Sequence, residues 1–418
     1  MDYYLLTDLA VTMGYHLAMS GAETFRVEDT VHRILRAYGV ECEVFAIPNS
    51  ISVSLEAANG KPLMLMKRID FHGNDLETME KLNALSRRIC TERPEVDEAM
   101  TWLHETLAAC RTYRTGVIYL GGVLVGLGFC LVFGGTLLDC LWAGLMGLII
   151  GLVTRFMDKQ EANPFFSTLL AACCMALPAY IAAGLGLMDS PDAAIIGTLM
   201  MLVPGLPITN AMRDIIYGDT NSGIFRLVQV VFTALAIALG TAAAWHLTSG
   251  VYGVTGSATV TWQPLAQAVA VFVGCLGFCI LFNVHGRGSV LCIIGGVVTW
   301  MLYLLGGALG CDVYVANLFA SLFAAAYAEV MARVRKCPAM PYLVIAILPL
   351  LPGAGVYYTM SLGLEGNRMD AVAKGLETVG IAGSLAVGIL LVSTVFRLIY
   401  RHVQGAVSYT HLTLPTNS

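Results

Sequence analysis

The sequence predicts a polytopic α-helical membrane protein of about ten transmembrane helices, arranged as a 5+5 inverted repeat behind a small cytoplasmic α+β domain. Three observations carry that expectation. Hydrophobic residues make up 57% of the 418 positions and charged residues only 13%, with a mean hydropathy of +0.72, which excludes an ordinary soluble globular chain. Charge is also unevenly spread, because residues 1–115 hold 12 of the 24 Lys+Arg and 17 of the 29 Asp+Glu. Finally, one short motif occurs twice: Leu202-Val203-Pro204-Gly205-Leu206-Pro207 and Leu350-Leu351-Pro352-Gly353-Ala354, 148 positions apart.

The polar start, residues 1–115, reads as a domain of order ααβββαα. Residues 4–19 carry Leu5, Leu6, Leu9, Met13 and Leu17 in a moderately amphipathic helix, interrupted by Ser20-Gly21-Ala22. A second helix over 23–38 stops at Gly39, a residue suited to a helix C-terminus. Three β-rich stretches follow, at 40–47, 50–56 and 63–69. In the middle one, Ile51, Val53 and Leu55 alternate with Ser50, Ser52 and Ser54, the pattern of a half-buried strand. Pro48-Asn49 and Asn59-Gly60 are the turn signals between them. Asn74 or Asp75 caps a helix to about Cys90, and 96–114 leads into the membrane. The start lacks the basic and apolar regions of a signal peptide, so this domain is expected inside.

Ten apolar runs follow, each near the 20 residues that cross a bilayer: 116–134, 136–154, 165–188, 192–208, 224–247, 265–285, 289–309, 313–333, 340–362 and 377–400. They fall into two five-segment blocks, 116–247 and 265–402. Five is odd, so the second block must enter from the opposite side. With the N-terminal domain inside, the inner connections carry Arg155, Lys159, Arg213, Arg226, Arg287, Arg333, Arg335, Lys336, Arg397 and Arg401, and the outer ones only Arg368 and Lys374. Ten against two places both termini in the cytoplasm. Residues 408–418 resemble a translated sequencing adapter and are expected to be foreign to the fold.

Inverted repeats with Gly/Pro-broken segments at matching places point to a secondary transporter with a site near the midplane. Pro204, Gly205 and Pro207 break the fourth run, and Pro349, Pro352 and Gly353 the ninth. Each proline removes a donor and frees carbonyls, which in lipid need protein or water to satisfy them. Behind the first break stand Thr209, Asn210, Arg213 and Asp214. Asn210, Arg213 and Asp214 sit at helical offsets, so one face offers an amide, a guanidinium and a carboxylate. A zwitterion would set its carboxylate on Arg213 and its ammonium on Asp214; the plain alternative is an Arg–Asp pair marking the membrane boundary. Asp219 reads as a cap or turn residue. Glu329, Asn283 and Asn317 are candidates by depth, since an intramembrane acid is costly to bury. Glu329 either takes a coupling proton or pairs with Arg333 one turn on.

In the polar domain, Gly21, Glu23, Thr24, Arg26, Glu28 and Asp29 crowd one helix start. A capping box with Ser20 accounts for Glu23; the rest serve surface ion pairs or a function. The chain shows no Gly-x-Ser-x-Gly elbow, P-loop, His-Glu-x-x-His or nucleotide-binding glycine motif placed after a strand. His16, His32, His72 and His104 have no ligand spacing, and most of the twelve cysteines are apolar filler, so neither an enzyme, a cofactor nor a metal site is expected.

Residues 20–28, 34–38, 47–54 and 68–88 resemble the N-terminal domain of the threonine/serine exporter family. Residues 202–219 and 348–353, with Phe282-Asn283 and 332–338, resemble its two membrane blocks in the family's order, over about residues 5–400. Some relatives divide the protein into two chains and are linked to export of dicarboxylates, succinate above all. The resemblance implies efflux of small amino acids such as threonine and serine, or of small dicarboxylates, by an ion- or proton-coupled secondary transporter of the cytoplasmic (inner) membrane. Its partners would be the small-molecule substrate, the lipid bilayer and the coupling ion, with no nucleic acid; a homo-oligomer is compatible. A membrane enzyme or receptor acting through the polar domain is the alternative from another class, and the lack of charged rings argues against a channel.

Overall fold

A computed structural model describes residues 2–57, 60–69, 73–249, 260–335, 337–364 and 366–412. Asn59 of the expected turn, His72, Lys336 and residues 413–418 of the expected foreign tail lie outside them.

The N-terminal domain has the expected order: α1 (Tyr3–Met19), α2 (Thr24–Ala37), β1 (Cys42–Ile47), β2 (Ser50–Glu56), β3 (Pro62–Arg68), α3 (Leu76–Glu92) and α4 (Val96–Ala108). The strands form an antiparallel sheet in the order β1-β2-β3, with Val44, Val53 and Leu65 in one row. Ile51, Val53 and Leu55 are buried, while Ser54 between them is exposed. Against that face pack Leu6, Leu9 and Met13 of α1 and Val27, Val31 and Ile34 of α2, all buried, so the period of each segment decides which side joins the core.

The remaining helices are α5 (Thr115–Val132), α6 (Leu137–Lys159), α7 (Pro164–Gly184), α8 (Pro191–Leu199), α9 (Gly205–Tyr217), α10 (Thr220–Ser249), α11 (Pro264–Leu281), α12 (Arg287–Ala308), α13 (Val313–Arg335), α14 (Met340–Ile347), α15 (Gly353–Leu364) and α16 (Arg368–Leu412). Among the described residues, eight are long and apolar enough to cross a membrane, and Met340–Leu350 with Gly353–Gly363 makes a ninth if that pair, bent by 46°, counts as one. The difference from the expected ten lies in the fourth run. It is not one helix: α8 is nine residues long, and α9 starts only after Pro204, whose ring and missing donor end the preceding segment.

The same helix pairs pack in both halves: α5 on α6 and α11 on α12, α7 on α10 and α13 on α16, α9 on α10 and α15 on α16. Between the halves the contacts are exchanged. Gly121 packs on Gly277 and Gly128 on Ala270, so contacts climb α5 while descending α11. Gly121 and Ala270 are 149 positions apart, as are Gly128 and Gly277, and each contact thus has a swapped counterpart. Phe129 and Phe278, also 149 apart, meet edge to face at 5.7 Å. Small residues allow this close approach, the usual device where lipid supplies no hydrophobic drive.

The two breaks behave alike. Gly205 lies against Leu351, and Gly353 against Val203 and Met200. Val203 corresponds to Leu351, and Gly205 to Gly353, at the 148-residue offset. Helix α9 then packs on α16, and α15 on α10.

Candidate functional site at the domain junction

Arg213 is the most deeply placed arginine of the described residues, 9% exposed, on the face of α9 one turn beyond Thr209. Its guanidinium donates to the Asn210 Oδ1 at 3.1 Å, as their three-residue spacing allows. Its ion pair, however, is made with Glu23 of the N-terminal domain, Nη1 to Oε1 at 2.9 Å. The expected Arg213–Asp214 grouping is therefore corrected. Adjacent helical residues point about 100° apart, and Asp214 turns instead to Arg226 of α10, at 3.0 Å. Arg226 also donates to the Thr24 Oγ1 at 3.4 Å, so both arginines tie the membrane helices to the start of α2.

The capping box at Glu23 is corrected as well. Glu23 occupies the N-cap position of α2, but its side chain makes no capping bond, and the Ser20 hydroxyl donates to the His16 carbonyl. A buried guanidinium is the stronger partner for a carboxylate than a backbone N–H. Burial raises the Glu23 carboxyl, yet the charges of Arg213, Arg26 and Arg226 outweigh it and hold it below its ordinary value. Gly21 shapes this entry: its φ of +90° and the nearby carbonyl of Gly73 leave no room for a side chain. Glu28 serves the N-terminal domain itself, accepting from the Ala46 N–H at 2.8 Å. Its carboxyl is pushed up by burial, partly offset by that bond.

Above the Glu23–Arg213 pair opens a cavity of about 810 Å³ between the N-terminal domain and the membrane helices, large enough for a small organic ligand. Its wall carries Glu23 and Arg26 from α2, Arg213 and Asp214 from α9, and Glu329 and Arg333 from α13. Arg26 forms no hydrogen bond or ion pair among the described residues. Glu329 pairs with Arg333 at 2.6 Å, the local pair that the four-residue spacing offers. Asp219 caps the turn into α10 by accepting from the Ser222 N–H, as the sequence suggests.

Other expected residues lie elsewhere. Gly205 and Gly353 build the crossing of the two breaks, and neither they nor Pro204, Pro207 and Pro352 are in this cavity wall. Thr209 is 1% exposed, and its Oγ1 has no hydrogen-bond partner among the described residues. Asn317 is buried and donates to the Val313 carbonyl of its own helix. Asn283, in the left-handed region at φ +56°, belongs to a second joint. Its Nδ2 donates to Asp75 Oδ1 and to the Arg111 carbonyl, both at 2.8 Å. Tyr113 stacks on His285 at 4.0 Å and donates to the Val284 carbonyl beside it.

Two participants escape a sequence reading. Arg226 looks like one more inner-loop charge, and Asp75 like a helix cap. Asp75 is a cap, bonding the Thr78 N–H, and a joint residue at once. Their partners lie 202 and 208 positions away, at distances no local pattern reports.

A threonine/serine exporter model, ThrE, matches residues 8–248, and a second one, Threonine/Serine exporter, ThrE, matches residues 267–395. The chain belongs to the threonine/serine exporter family. Among relatives of this exporter-family chain, the "Probable threonine/serine exporter" of Mycobacterium tuberculosis is 25% identical over 92% of this chain and 75% of its own length. The "Threonine/serine exporter" of Corynebacterium glutamicum is 22% identical over 94% of this chain and 83% of its own length. The "Probable succinate transporter subunit YjjP" of Escherichia coli strain K12 is 23% identical over 56% of this chain and 91% of its own length. No solved structure matches the chain. Both family matches cover residues of the junction: Glu23, Arg213 and Arg226 fall in the first, Asn283 and Glu329 in the second.

Proposed function

We propose that this chain is a secondary-active exporter of small amino acids, threonine or serine, in the cytoplasmic membrane. Its spans, ten if the broken segments α8–α9 and α14–α15 each count as one, form two inverted blocks of five, with both termini in the cytoplasm. The swapped contacts of Gly121 with Gly277 and Gly128 with Ala270 support the inverted arrangement, because a two-fold axis exchanges each contact with its counterpart. The ten-to-two Lys/Arg asymmetry supports the orientation. Rocking of the blocks about the crossed breaks at Gly205 and Gly353 gives alternating access.

One observation carries the substrate reading: Arg213, nearly buried, faces the junction cavity with Asn210 beside it. A planar guanidinium with a neighbouring amide is suited to a carboxylate, which small amino acids and dicarboxylates share. The cavity is then the cytoplasmic entrance. Glu329, whose pair with Arg333 can open, is the acid offered for proton coupling. Succinate or another dicarboxylate is the second reading, favoured by the name of the E. coli relative and by Arg26, which has no ion pair among the described residues, on the same wall.

The test is efflux of threonine, serine and succinate, side by side, from loaded cells expressing the chain, with and without an uncoupler. The expected result is uncoupler-sensitive export of threonine and serine that Arg213→Ala lowers at least tenfold. Export unaffected by Arg213→Ala at equal surface level would remove the junction from the transport path.

A further inference from the structure

Resting on the reading of Arg213 as the carboxylate site, we infer that Glu23 of the N-terminal domain is the ammonium ligand and thereby sets the preference for amino acids over dicarboxylates. The soluble domain would then supply half of the substrate site rather than a separate activity.

A zwitterion needs one partner of each sign, and the acid adjacent to Arg213 in sequence, Asp214, is held by Arg226 at 3.0 Å. The acid that reaches Arg213 is Glu23, at 2.9 Å, and both side chains line the same cavity. The pair is partly reachable, with side-chain exposures of 11% for Arg213 and 20% for Glu23. Arg213 keeps Asn210 as a second neighbour when Glu23 swings away.

Charge balance then separates the two substrate classes. An amino acid entering the pair replaces one ion pair by two, its carboxylate on Arg213 and its ammonium on Glu23, and the site stays neutral. A dicarboxylate in the same place brings two negative charges, takes Arg213 from Glu23 and sets a like charge against it. Leaving a half-buried carboxylate unpaired is the repulsive element that selectivity requires. Nearby cations keep Glu23 ionised, so it is available as an anion at cytoplasmic pH. Arg26 stands on the same wall, near enough to Glu23 to act on its charge. With Glu23 neutralised, Arg213 and Arg26 would face a substrate together, a pair suited to a dianion.

The decisive experiment measures threonine and succinate efflux in parallel from cells expressing the full chain, for the wild type, Glu23→Gln, Glu23→Asp and Arg213→Ala at matched surface level. Glu23→Gln is nearly isosteric, and Glu23→Asp keeps the charge, so a folding defect separates from a charge effect. The expected result is a fall of at least tenfold in the threonine-to-succinate ratio for Glu23→Gln, with most of the wild-type ratio retained by Glu23→Asp. Arg213→Ala should lose both substrates. An unchanged ratio in Glu23→Gln, or an equal loss of both substrates, overturns the inference and leaves Glu23 as a docking contact. A wild type that prefers succinate overturns it too. Full export by Arg213→Ala sinks the site reading beneath it, an outcome distinct from the others.

Discussion

Helices α9 and α15 occupy matching positions behind the two Pro-Gly breaks, yet they carry opposite kinds of side chain. At the 148-residue offset, Thr209 corresponds to Tyr357, Asn210 to Tyr358, Arg213 to Ser361 and Asp214 to Leu362. The breaks themselves are alike, and Gly205 and Gly353 each receive a residue from the other half. Packing is therefore shared by both copies, while charge is confined to one. The charged copy is the one that abuts the N-terminal domain, whose Glu23 and Thr24 meet Arg213 and Arg226. A duplicated frame keeps what the crossing needs, and only the half with a partner for its charges can hold them in a nearly buried place.

The sharpest way to break this comparison is to remove the charge from one copy and the corresponding group from the other. Arg213→Ala should lower export ten- to a hundredfold at matched surface level, as expected for a lost charge-assisted contact of about 1.5–3 kcal/mol. Ser361→Ala, its counterpart, should change export less than twofold, since it removes one hydroxyl from a half-buried position. Equal losses would mean that both copies carry transport chemistry.

A smaller effect is expected at Arg226. The sequence treats it as a bystander charge, but its loss leaves Asp214, 15% exposed, without its ion pair. Breaking a buried pair costs up to about 3–5 kcal/mol, so Arg226→Ala should reduce the amount of folded protein more than export per molecule. Fluorescence size-exclusion of the detergent extract, read beside efflux, separates the two. Its export per molecule should remain well above that of Arg213→Ala.

The breaks offer a comparison in stability alone. A Cβ at Gly205 would come within 2.9 Å of Leu351 Cβ, which is fixed to the backbone. At Gly353 the nearest atoms are the Met200 sulfur and Val203 Cγ1, both at 3.1 Å and both beyond the Cβ of their residues, so the approach is less tight. Gly205→Ala should therefore destabilise by about 1–3 kcal/mol, seen as a lower midpoint in a thermal-denaturation assay, and Gly353→Ala by clearly less. The reverse order would show that the crossing is not packed as described.

Acid should do least. Glu23 has a lowered carboxyl, so the stability its contact gives is complete above the ordinary carboxylate value and is lost only as pH falls through the lower, folded one. Docking of the N-terminal domain should then stay constant from about pH 8 to about pH 5, measured by protection of α2 in hydrogen exchange. Undocking near neutral pH would contradict the ionised Glu23–Arg213 pair.

How much of this was legible beforehand follows from the range of each interaction. The order of the N-terminal domain could be read because Ile51, Val53 and Leu55 alternate and the helix stripe of Val27, Val31 and Ile34 repeats, patterns that local geometry imposes. The Glu329–Arg333 and Asn210–Arg213 contacts were equally readable, because three- and four-residue spacings bring side chains together on any helix. The fourth run resisted, since Pro204 and Pro207 announce a break without saying whether two pieces or one bent span results. Apolar length, the repeated Pro-Gly motif and the family thus belong to the sequence alone. Which acid meets Arg213, which arginine holds Asp214, and that Asn283 joins domains were decided by tertiary structure. Glu23 and Arg213, and Asp75 and Asn283, lie about two hundred positions apart, and only the folding of the N-terminal domain onto the membrane helices makes them neighbours; Asp214 and Arg226, twelve positions apart, meet only because α9 packs on α10.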